Sequence, residues 1–421
     1  MSLHEEASGL FGTHVTWEDI EDEVRLSLGT EARFGANKKA TNIGDMKGFM
    51  SRIALIEADW TPESQNLPKK FVVKLVSQLA FIEISSWSQI DLSEEKMRIF
   101  DGMLSNCHNQ EVGTYQLFLE LEKENQENGS QIPPIIKIYS TRKISAENPL
   151  KGFIVTEFVE DLKPLSIFDS LEISQIIPVI QGIARFSALP LKLPENRLEF
   201  AGKSDFFAKS YAEFSDEKTR ENSYFCMRKS FPEEFRVEVE ELIEVYRKYT
   251  TPEMIRRIEK IPEICGFAPQ LVHGDLWSGN LMFSKNLEFR AIIDWQAVSF
   301  GSPAQDLCRL FITILSAKKR RANLDFLLRT FYEELIRSLK ISGVKVPYTF
   351  EQLKKNYRLM FPICTILVLP TMISYSEVIG LREDENREIV KNSAIEKAVG
   401  MMEDVLKAHS DNLIDFPQFF E

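Results

Sequence analysis

The segment LVHGDLWSGN, residues 271–280, holds the side chains with the clearest capacity for chemistry. Asp275 offers a carboxylate that can accept a proton from an attacking hydroxyl group. Asn280, five positions later, offers an amide oxygen of the kind that binds Mg²⁺, and His273 lies just before the aspartate. The same Asp, Ser, Gly and Asn residues also form ordinary polar turns. Taken alone, this segment leaves a catalytic loop and a structural turn equally open.

A second acid favours the catalytic interpretation. Asp294 closes the apolar run AIID nineteen residues after Asp275, where a short hairpin could return it to the same loop. Kinases place an asparagine five residues after their catalytic aspartate and bind Mg²⁺ through that asparagine and a later aspartate. We therefore predict that Asn280 and Asp294 are metal ligands. The alternative is an aspartate that only ends a strand at a turn.

Lys74 is a charged residue inside the apolar, strand-like run FVVKL, so its ammonium group needs a partner or an exit to solvent. In kinases a strand lysine paired with a helix glutamate contacts the α- and β-phosphates of ATP. We expect Glu111, at the start of a predicted helix, to be that partner. The alternatives are an edge-strand lysine in solvent and a glutamate that only stabilises a first helical turn.

A weaker signal precedes Lys74. The segment NIGDMKGFMSR places Gly44 and Gly48 just before a predicted strand, and the backbone amides of such a turn can approach phosphate oxygens closely. The GxGxxG pattern is absent. The two glycines are predicted to bind nucleotide because they come before Lys74 in the order that a kinase requires.

The elements that must position these residues divide the chain into a strand-rich first third and a helix-rich remainder. Alternation of β-branched and polar residues predicts strands, and helical spacing of apolar residues predicts helices. The predicted strands are residues 51–60, 70–76, 135–142 and 151–161, and the clearest later helices are residues 173–189, 232–249, 324–341 and 387–407. This division predicts an α+β protein of two lobes, and clefts between lobes are preferred ligand sites.

Composition excludes several classes of protein. The 421 residues are 44% hydrophobic and 27% charged, as in globular proteins, and a net charge of −12 argues against a nucleic-acid binder. The basic run KKRR at residues 318–321 is predicted to be a solvated helix face. Five scattered cysteines without a CxxC pair indicate neither a disulfide framework nor a zinc site.

Residues 359–373 form the longest apolar run, LMFPICTILVLPTMI, which is too short for a membrane span and is interrupted by Pro362 and Pro370. We therefore predict a buried helical segment there. With reduced cysteines, these features predict a cytoplasmic protein without a membrane span.

Together, the motifs HGDLWSGN, IIDWQ and DLCR, with GDMKGFMSRI, FVVKL and HNQEVGTYQLF upstream, resemble the choline-kinase-like and ecdysteroid-kinase-like family. That family belongs to the aminoglycoside phosphotransferase superfamily, and KGFMSR and HNQE look most like its branch abundant in nematodes. The resemblance covers residues 40–407 approximately. It implies a protein-kinase-like fold with a small antiparallel-sheet N-lobe (residues 1–156), a hinge (157–161) and a larger helical C-lobe (162–421).

The resemblance also implies a role for each matching residue. Asp275 would be the catalytic base and His273 a buried residue that holds the loop by hydrogen bonds. Asn280 and Asp294 would bind metal, and Lys74 with Glu111 would form the ion pair. Backbone groups of the hinge would meet adenine, at Glu157, Phe158 and Val159.

Asp306, in QDLCR, matches a family aspartate that is interpreted as structural. It follows Ser302-Pro303, which fit the N-cap and first position of a helix, and Gln305 is predicted to complete a capping box.

Some positions differ from the residues found in protein kinases or in members of the family. Gly274 follows His273 where protein kinases have arginine, and Ser187 stands where relatives often have histidine. Trp295 follows Asp294 where protein kinases have phenylalanine, and neither an activation segment nor an APE motif follows. These departures indicate a small-molecule kinase. Trp295 and Trp277 could hold a cationic amine, but they are predicted to pack the loop.

The leading hypothesis is therefore an ATP- and Mg²⁺-dependent phosphotransferase. Its acceptor would be the hydroxyl group of a choline-, ecdysteroid- or aminoglycoside-like small molecule, and residues 200–235 are a candidate substrate-facing segment. The alternative is a pseudokinase that binds nucleotide or ligand without catalysis.

Overall fold

The computed structural model describes residues 2–44, 50–82, 93–124, 132–203, 216–258, 260–380 and 387–420, with backbone only at 371 and 373–380. Gly48 and residues 204–215 of the candidate substrate-facing segment lie outside the described residues. The chain divides into two compact units, Met1–Glu120 with Ile135–Asp161, and Leu121–Pro134 with Leu162–Glu421.

The first unit is built on an antiparallel sheet of five strands in the order β2-β3-β5-β7-β6. A separate two-stranded ribbon pairs β1 with β4. The elements are α1 (Trp17–Leu28), β1 (Arg33–Phe34), β2 (Lys39–Asn42), β3 (Ser51–Glu57), β4 (Trp60–Thr61), β5 (Lys70–Val76), α2 (Glu94–Glu124), β6 (Ile138–Arg142) and β7 (Phe153–Glu157). This is the predicted N-terminal sheet, with strand β5 matching its predicted bounds.

Strand β5 shows how the sequence selects the two faces of the sheet. Phe71, Val73 and Leu75 alternate along the strand and are fully buried in one core with Ile20 and Val24 of α1. Because side chains on a strand alternate between faces, the residues between them point to the other side. Lys74 is one of these residues, and it is opposite Ile53 of β3 and Ile154 of β7.

Four predicted elements in the first unit have wrong boundaries. The strand predicted at residues 135–142 begins at Ile138, and the strand predicted at 151–161 is Phe153–Glu157. The strand predicted at residues 51–60 ends at Glu57, because Asp59 takes a left-handed backbone conformation with φ of 52° and Trp60 then pairs with β1.

Helix α2 begins at Glu94, so Glu111 lies in its middle and not at its start. The apolar residues of its first half, Met97, Phe100, Leu104 and Cys107, have helical spacing, so the sequence contained a signal for the earlier start.

The second unit is mainly helical. Its strands form two small antiparallel sheets, β11-β10-β8 and β12-β9. The strands are β8 (Leu162–Lys163), β9 (Gln270–Val272), β10 (Leu281–Ser284), β11 (Phe289–Ile292) and β12 (Ser299–Gly301). The helices are α3 (Ile173–Ser187), α4 (Glu217–Ser230), α5 (Arg236–Tyr249), α6 (Pro252–Ile258), α7 (Ile261–Ile264), α8 (Pro303–Ile314), α9 (Ala317–Lys340), α10 (Phe350–Gly380), α11 (Arg387–Asp415) and α12 (Pro417–Phe420). The α+β class, with a small antiparallel-sheet part followed by a larger helical part, is confirmed.

The basic run at residues 318–321 is not simply the solvated helix face that was predicted. Arg320 is 1% exposed, donates from Nη2 to Asp404 Oδ2 at 2.6 Å and lies over the ring of Phe361. Arg321 is more exposed and also pairs with Asp404. A buried arginine requires such partners because an unpaired charge in the core is costly.

The apolar run at residues 359–373 lies within α10, and its described side chains are largely buried, as predicted. In the part of the chain that the structure describes, no helix is long and apolar enough to cross a membrane. The five cysteines are free thiols in the structure, and Cys226 is the one among them that is not buried.

Candidate active site

His273 follows strand β9 directly and is fully buried. Its Nε2 lies 2.9 Å from the carbonyl oxygen of Ile293, and its Nδ1 lies 3.3 Å from the backbone nitrogen of Asp275. Because Nδ1 must accept from the Asp275 N–H, we assign the proton to Nε2, which donates to the Ile293 carbonyl. The imidazole thus joins the loop at Asp275 to the end of strand β11.

Gly274 is the residue that allows the loop to turn here. Its φ is 82°, and a Cβ atom at this position would lie 2.1 Å from the carbonyl oxygen of Ala297. A side chain would be excluded both by the left-handed backbone and by this close approach. The local structure therefore requires glycine at this position, where protein kinases have arginine.

Asp306 holds the backbone of the same loop from helix α8. Its Oδ2 accepts from the His273 N–H at 2.6 Å, and its Oδ1 accepts from the Gly274 N–H at 3.0 Å. Burial raises the pKa of the Asp306 carboxyl above its usual range, against the opposing effect of these two N–H donors. The structure thus places Asp306 where a structural role was predicted.

Gln305 does not complete the capping box that was predicted for helix α8. The Ser302 Oγ accepts from the Ala304 N–H at 3.2 Å, as an N-cap side chain does. The Gln305 Nε2 donates instead to the carbonyl oxygen of Gly274 at 3.3 Å. This carbonyl is buried with the loop and needs a donor, which explains the different orientation.

Asp275 and Asn280 are brought together by their side chains. The Asn280 Nδ2 donates to the Asp275 carbonyl oxygen at 2.8 Å and to the Asp275 Oδ2 at 3.2 Å. These two bonds use the amide nitrogen, so the amide oxygen of Asn280 is the atom suited to a metal ion.

Strands β10 and β11 form the predicted hairpin, with Leu281 opposite Ile292. The Ile293 N–H donates to the Asn280 carbonyl oxygen at 3.0 Å, so Asn280 and Asp294 lie at the same end of this hairpin. Asp294 adopts a left-handed conformation with φ of 65°, which aspartate tolerates better than most residues. Gln296 donates to its Oδ2 at 3.3 Å.

The oxygens of Asn280 and Asp294 fit Mg²⁺, which takes one or two carboxylates and completes its shell with phosphate and water. Among the described residues, no group of three or more His, Cys, Asp or Glu side chains could hold a metal ion. The pair alone provides too few ligands for a structural zinc site.

Arg309 is a site residue to which the sequence assigned no role. Its Nη2 pairs with Oδ1 of Asp275, and the two side chains are 14% and 20% exposed. Arg309 lies three residues after Asp306 on helix α8, so both side chains leave the helix on nearly the same face. The spacing in DLCR, an acid and a base three apart in a helix beside the loop, was the available signal.

Trp295 packs the loop and is not available to a substrate. It is fully buried, and its ring centroid lies 4.7 Å from that of His273 and 4.8 Å from that of Phe186. Its Nε1 donates to the Ile292 carbonyl oxygen at 3.1 Å. Ser187 supports the same region, because its hydroxyl donates to the Leu271 carbonyl at 3.0 Å. Trp277 is only partly buried.

In the first unit, Lys74 and Glu111 form an ion pair with 2.6 Å between Nζ and Oε2. Their side chains are 18% and 3% exposed, which excludes a lysine in solvent. Because Glu111 lies in the middle of α2, the alternative of a first-turn acid is also excluded. His108 lies one turn before Glu111 on α2, and its Nε2 is 2.8 Å from the Arg142 carbonyl oxygen. Burial lowers the pKa of His108 to about 4, with a smaller effect from the charge of Lys74.

The remaining predicted nucleotide contacts, at Gly44 and at Glu157, Phe158 and Val159, stay predictions. The Gly44 N–H donates to Asn42 Oδ1 at 3.1 Å. The Glu157 N–H is used within the sheet region, where it donates to the Lys137 carbonyl oxygen at 2.9 Å. The Glu157 N–H is therefore not a free donor for adenine, and the prediction for the hinge depends on its other backbone groups. Phe158 follows directly and is half-buried, as is Val159.

Comparison with known proteins gives one family match and two relatives from Caenorhabditis elegans. The family profile described as "DUF1679: Uncharacterized oxidoreductase dhs-27" matches residues 3–413. The "Uncharacterized kinase-like protein D1044.1" is 22% identical over 353 residues, which are 82% of this chain and 87% of that protein. The "Uncharacterized oxidoreductase dhs-27" is 24% identical over 365 residues, 85% of this chain but only 42% of that protein.

Among solved structures, the chain is similar to a choline kinase from Cryptosporidium parvum Iowa II, with a TM-score of 0.45 and 13% identity over 90% of each chain. The profile covers nearly the whole chain, and both relatives come from a nematode, as the resemblance in the sequence predicted. The chain belongs to the DUF1679 family.

Proposed function

We propose that this protein is an ATP- and Mg²⁺-dependent phosphotransferase that acts on the hydroxyl group of a small molecule. The observation that carries the proposal is the pairing of Asp275 with Asn280, at the end of a hairpin that also bears Asp294. A carboxylate next to two oxygen ligands for Mg²⁺ is the arrangement that phosphoryl transfer requires.

In this reaction the hydroxyl oxygen of the acceptor attacks the γ-phosphorus of ATP. The bond between that phosphorus and the β–γ bridging oxygen breaks, and ADP leaves with the bonding electron pair. The carboxylate of Asp275 orients the hydroxyl group and accepts its proton. His273 holds Asp275 at this position through its backbone N–H.

Asn280 and Asp294 would hold Mg²⁺, which supplies positive charge that neutralises the phosphate oxygens when it is bound. We assign the α- and β-phosphates to Lys74, whose ammonium group Glu111 keeps in one orientation. Gly44, Gly48 and the backbone at Phe158 and Val159 are proposed to complete nucleotide binding. We also propose a cytoplasmic location, where ATP and reduced thiols are available.

The kinase-like name of one relative agrees with this proposal. The other relative is named as an oxidoreductase, but the chain spans less than half of that protein. The GxGxxG fingerprint of dinucleotide-binding folds does not occur in this sequence. We therefore do not extend the oxidoreductase name to this chain, and we propose a choline-, ecdysteroid- or aminoglycoside-like alcohol as the acceptor.

One observation favours a second candidate, a pseudokinase that binds nucleotide without turning it over. Arg309 already pairs with Oδ1 of Asp275, so one of the two oxygens that an acceptor hydroxyl could approach is occupied. Both candidates require ATP to bind, so thermal unfolding with and without Mg²⁺-ATP is the first test. ATP at one hundred times its Kd adds about 2.7 kcal/mol to the free energy of unfolding.

Turnover then separates the two candidates. Wild type and Asp275→Asn are compared for ADP release over a panel of hydroxylated amines, sterols and sugars. We expect an acceptor for the wild type and a kcat lower by about 10²-fold or more for the variant. ATP binding without turnover of any compound in the panel favours the pseudokinase. Full activity of Asp275→Asn shows that Asp275 is not the base.

A further inference from the structure

We propose that Arg309 is a positioning residue that holds the carboxylate of Asp275 in the orientation needed for phosphoryl transfer. This inference rests on the proposed function and assigns Arg309 a part in it. It concerns a side chain that does not need to touch the substrate, the nucleotide or the metal ion.

The first turn of helix α8 contacts the two consecutive residues that precede Asp275. Asp306 accepts from the N–H groups of His273 and Gly274, at 2.6 and 3.0 Å. Gln305 donates to the carbonyl oxygen of Gly274 at 3.3 Å. These bonds fix the backbone before Asp275 but leave its side chain free to rotate.

Arg309 and Asn280 together hold the side chain of Asp275. Its Nη2 pairs with Oδ1 of the carboxylate, while the Asn280 Nδ2 lies 3.2 Å from Oδ2. With one donor on each oxygen, the carboxylate cannot rotate without breaking a hydrogen bond. A charge-assisted bond from a guanidinium is also shorter and stronger than a neutral one, so Arg309 is the firmer of the two contacts.

Arg309 is not expected to contribute much to the stability of the folded protein. Its Nε is buried and has no hydrogen-bond acceptor among the described residues. A buried donor without an acceptor opposes folding, and a buried ion pair often contributes no net stability. The pair is better explained by its effect on the carboxylate of Asp275 than by its contribution to folding.

Arg358 offers a matched comparison in the same unit. Its Nη2 also pairs with an aspartate, Asp415, and the two side chains are 28% and 29% exposed. Its Nε, unlike that of Arg309, donates to Asn412 Oδ1 at 3.1 Å. This pair has the satisfied contacts of a structural interaction and lies outside the residues assigned to the reaction.

The test compares Arg309→Ala, Arg309→Lys and Arg358→Ala with the wild type. Hydrolysis of Mg²⁺-ATP, and transfer to any acceptor found with the panel, give kcat and KM for ATP. Thermal unfolding with and without Mg²⁺-ATP reports folding and nucleotide binding separately. Guanidinium ion, added to Arg309→Ala at a concentration that does not unfold the protein, tests whether the missing cation alone restores activity.

We expect Arg309→Ala to lower kcat by about 10²-fold, the size of the effect of a small misplacement of a reacting group, without a matching rise in KM for ATP. Its stabilisation by Mg²⁺-ATP should equal that of the wild type, and guanidinium should restore part of kcat. Arg309→Lys keeps the charge but not the planar group, so its kcat should lie between those of Arg309→Ala and the wild type. Arg358→Ala should keep the wild-type kcat.

Four results would overturn the inference. An unchanged kcat in Arg309→Ala removes Arg309 from the reaction and leaves the proposed function intact. A loss of kcat that comes with loss of ATP stabilisation, without rescue by guanidinium or by Arg309→Lys, shows a structural role, as does an equal loss in Arg358→Ala. A wild type that neither binds nor turns over ATP overturns the proposed function and this role together.

Discussion

The carboxylate of Asp306 accepts a hydrogen bond of 2.6 Å from the backbone N–H of His273, thirty-three residues earlier in the chain. Both residues are fully buried, and the second carboxylate oxygen binds the N–H of Gly274. One side chain on helix α8 thus satisfies two backbone donors that the loop exposes after strand β9. The position of Asp275 depends on this connection.

Replacing Asp306 with asparagine should destabilise the protein by about 1–3 kcal/mol, because one of the two backbone N–H groups would face an amide nitrogen and lose its acceptor. Chemical denaturation gives the free energy of unfolding. Asp325→Asn is the control, since that side chain is 60% exposed and its loss should change stability by no more than about 0.5 kcal/mol. Equal stability of the two variants would contradict the role given to Asp306.

Gly274→Ala tests the steric account of the loop. The left-handed backbone alone costs an alanine about 1–2 kcal/mol, and the approach to the Ala297 carbonyl adds a clash that the loop cannot relieve without moving. Gly343→Ala is a matched control, with φ of 69° but no atom within 4 Å of the added Cβ. We expect Gly274→Ala to unfold at lower denaturant concentration than Gly343→Ala and to lose ATP turnover. The same midpoint of denaturant unfolding for both variants would show that the clash with the Ala297 carbonyl does not lower stability.

The ion pair of the first unit predicts a non-additive pattern. Lys74→Met leaves the buried carboxylate of Glu111 without its cation, which should destabilise the protein by about 3–5 kcal/mol. The double variant Lys74→Met with Glu111→Leu should recover part of this loss, because it leaves no unpaired charge. Both variants should lose stabilisation by Mg²⁺-ATP. The cycle is completed by the single variant Glu111→Leu. If the two single losses of stability add up to the loss in the double variant, the two side chains are not coupled.

His108 predicts a dependence of stability on pH. Burial lowers its pKa in the folded protein to about 4, whereas the unfolded chain has the usual value near 6.5. As the pH falls below 6.5, the unfolded state binds a proton that the folded state does not, so stability decreases until the pH reaches about 4. The full loss is on the order of 3 kcal/mol.

Urea denaturation between pH 7.5 and 4.5 measures this dependence. His108→Gln keeps a donor for the Arg142 carbonyl but removes the proton uptake, so its stability should fall less steeply with pH. His409, whose pKa burial also lowers to about 4, contributes in the same direction and should keep part of the slope in that variant. Identical slopes for His108→Gln and wild type would contradict the assignment.

The parts of the site that could be predicted from sequence are those with local or strongly constrained geometry. The hairpin β10–β11 needs only a short turn between two apolar runs, so the return of Asp294 toward Asn280 followed from their separation along the chain. Lys74 in an apolar strand required a partner, and the structure supplies Glu111. Both predictions use the cost of burying charge or apolar surface, which is the same in any fold.

The parts that could not be predicted depend on contacts between distant segments. The spacing in DLCR places Arg309 on the same face of its helix as Asp306, but it does not identify Asp275 as the partner, so the ion pair appears only in the structure. Arg320 looked like surface charge because its partner Asp404 lies eighty-four residues away. Helix α2 is a different case, because the apolar residues of its first half, Met97, Phe100 and Leu104, have helical spacing and would have supported an earlier start.

The central claim is tested most directly by incubating the wild type and Asp275→Asn with γ-phosphate-labelled ATP, Mg²⁺ and a fractionated pool of small-molecule alcohols. We predict that the wild type transfers the label to an acid-stable product in at least one fraction. Asp275→Asn should bind ATP, as judged by thermal unfolding, and transfer essentially no label. Transfer by the variant at the wild-type rate, or no transfer by a wild type that binds ATP, would contradict the account.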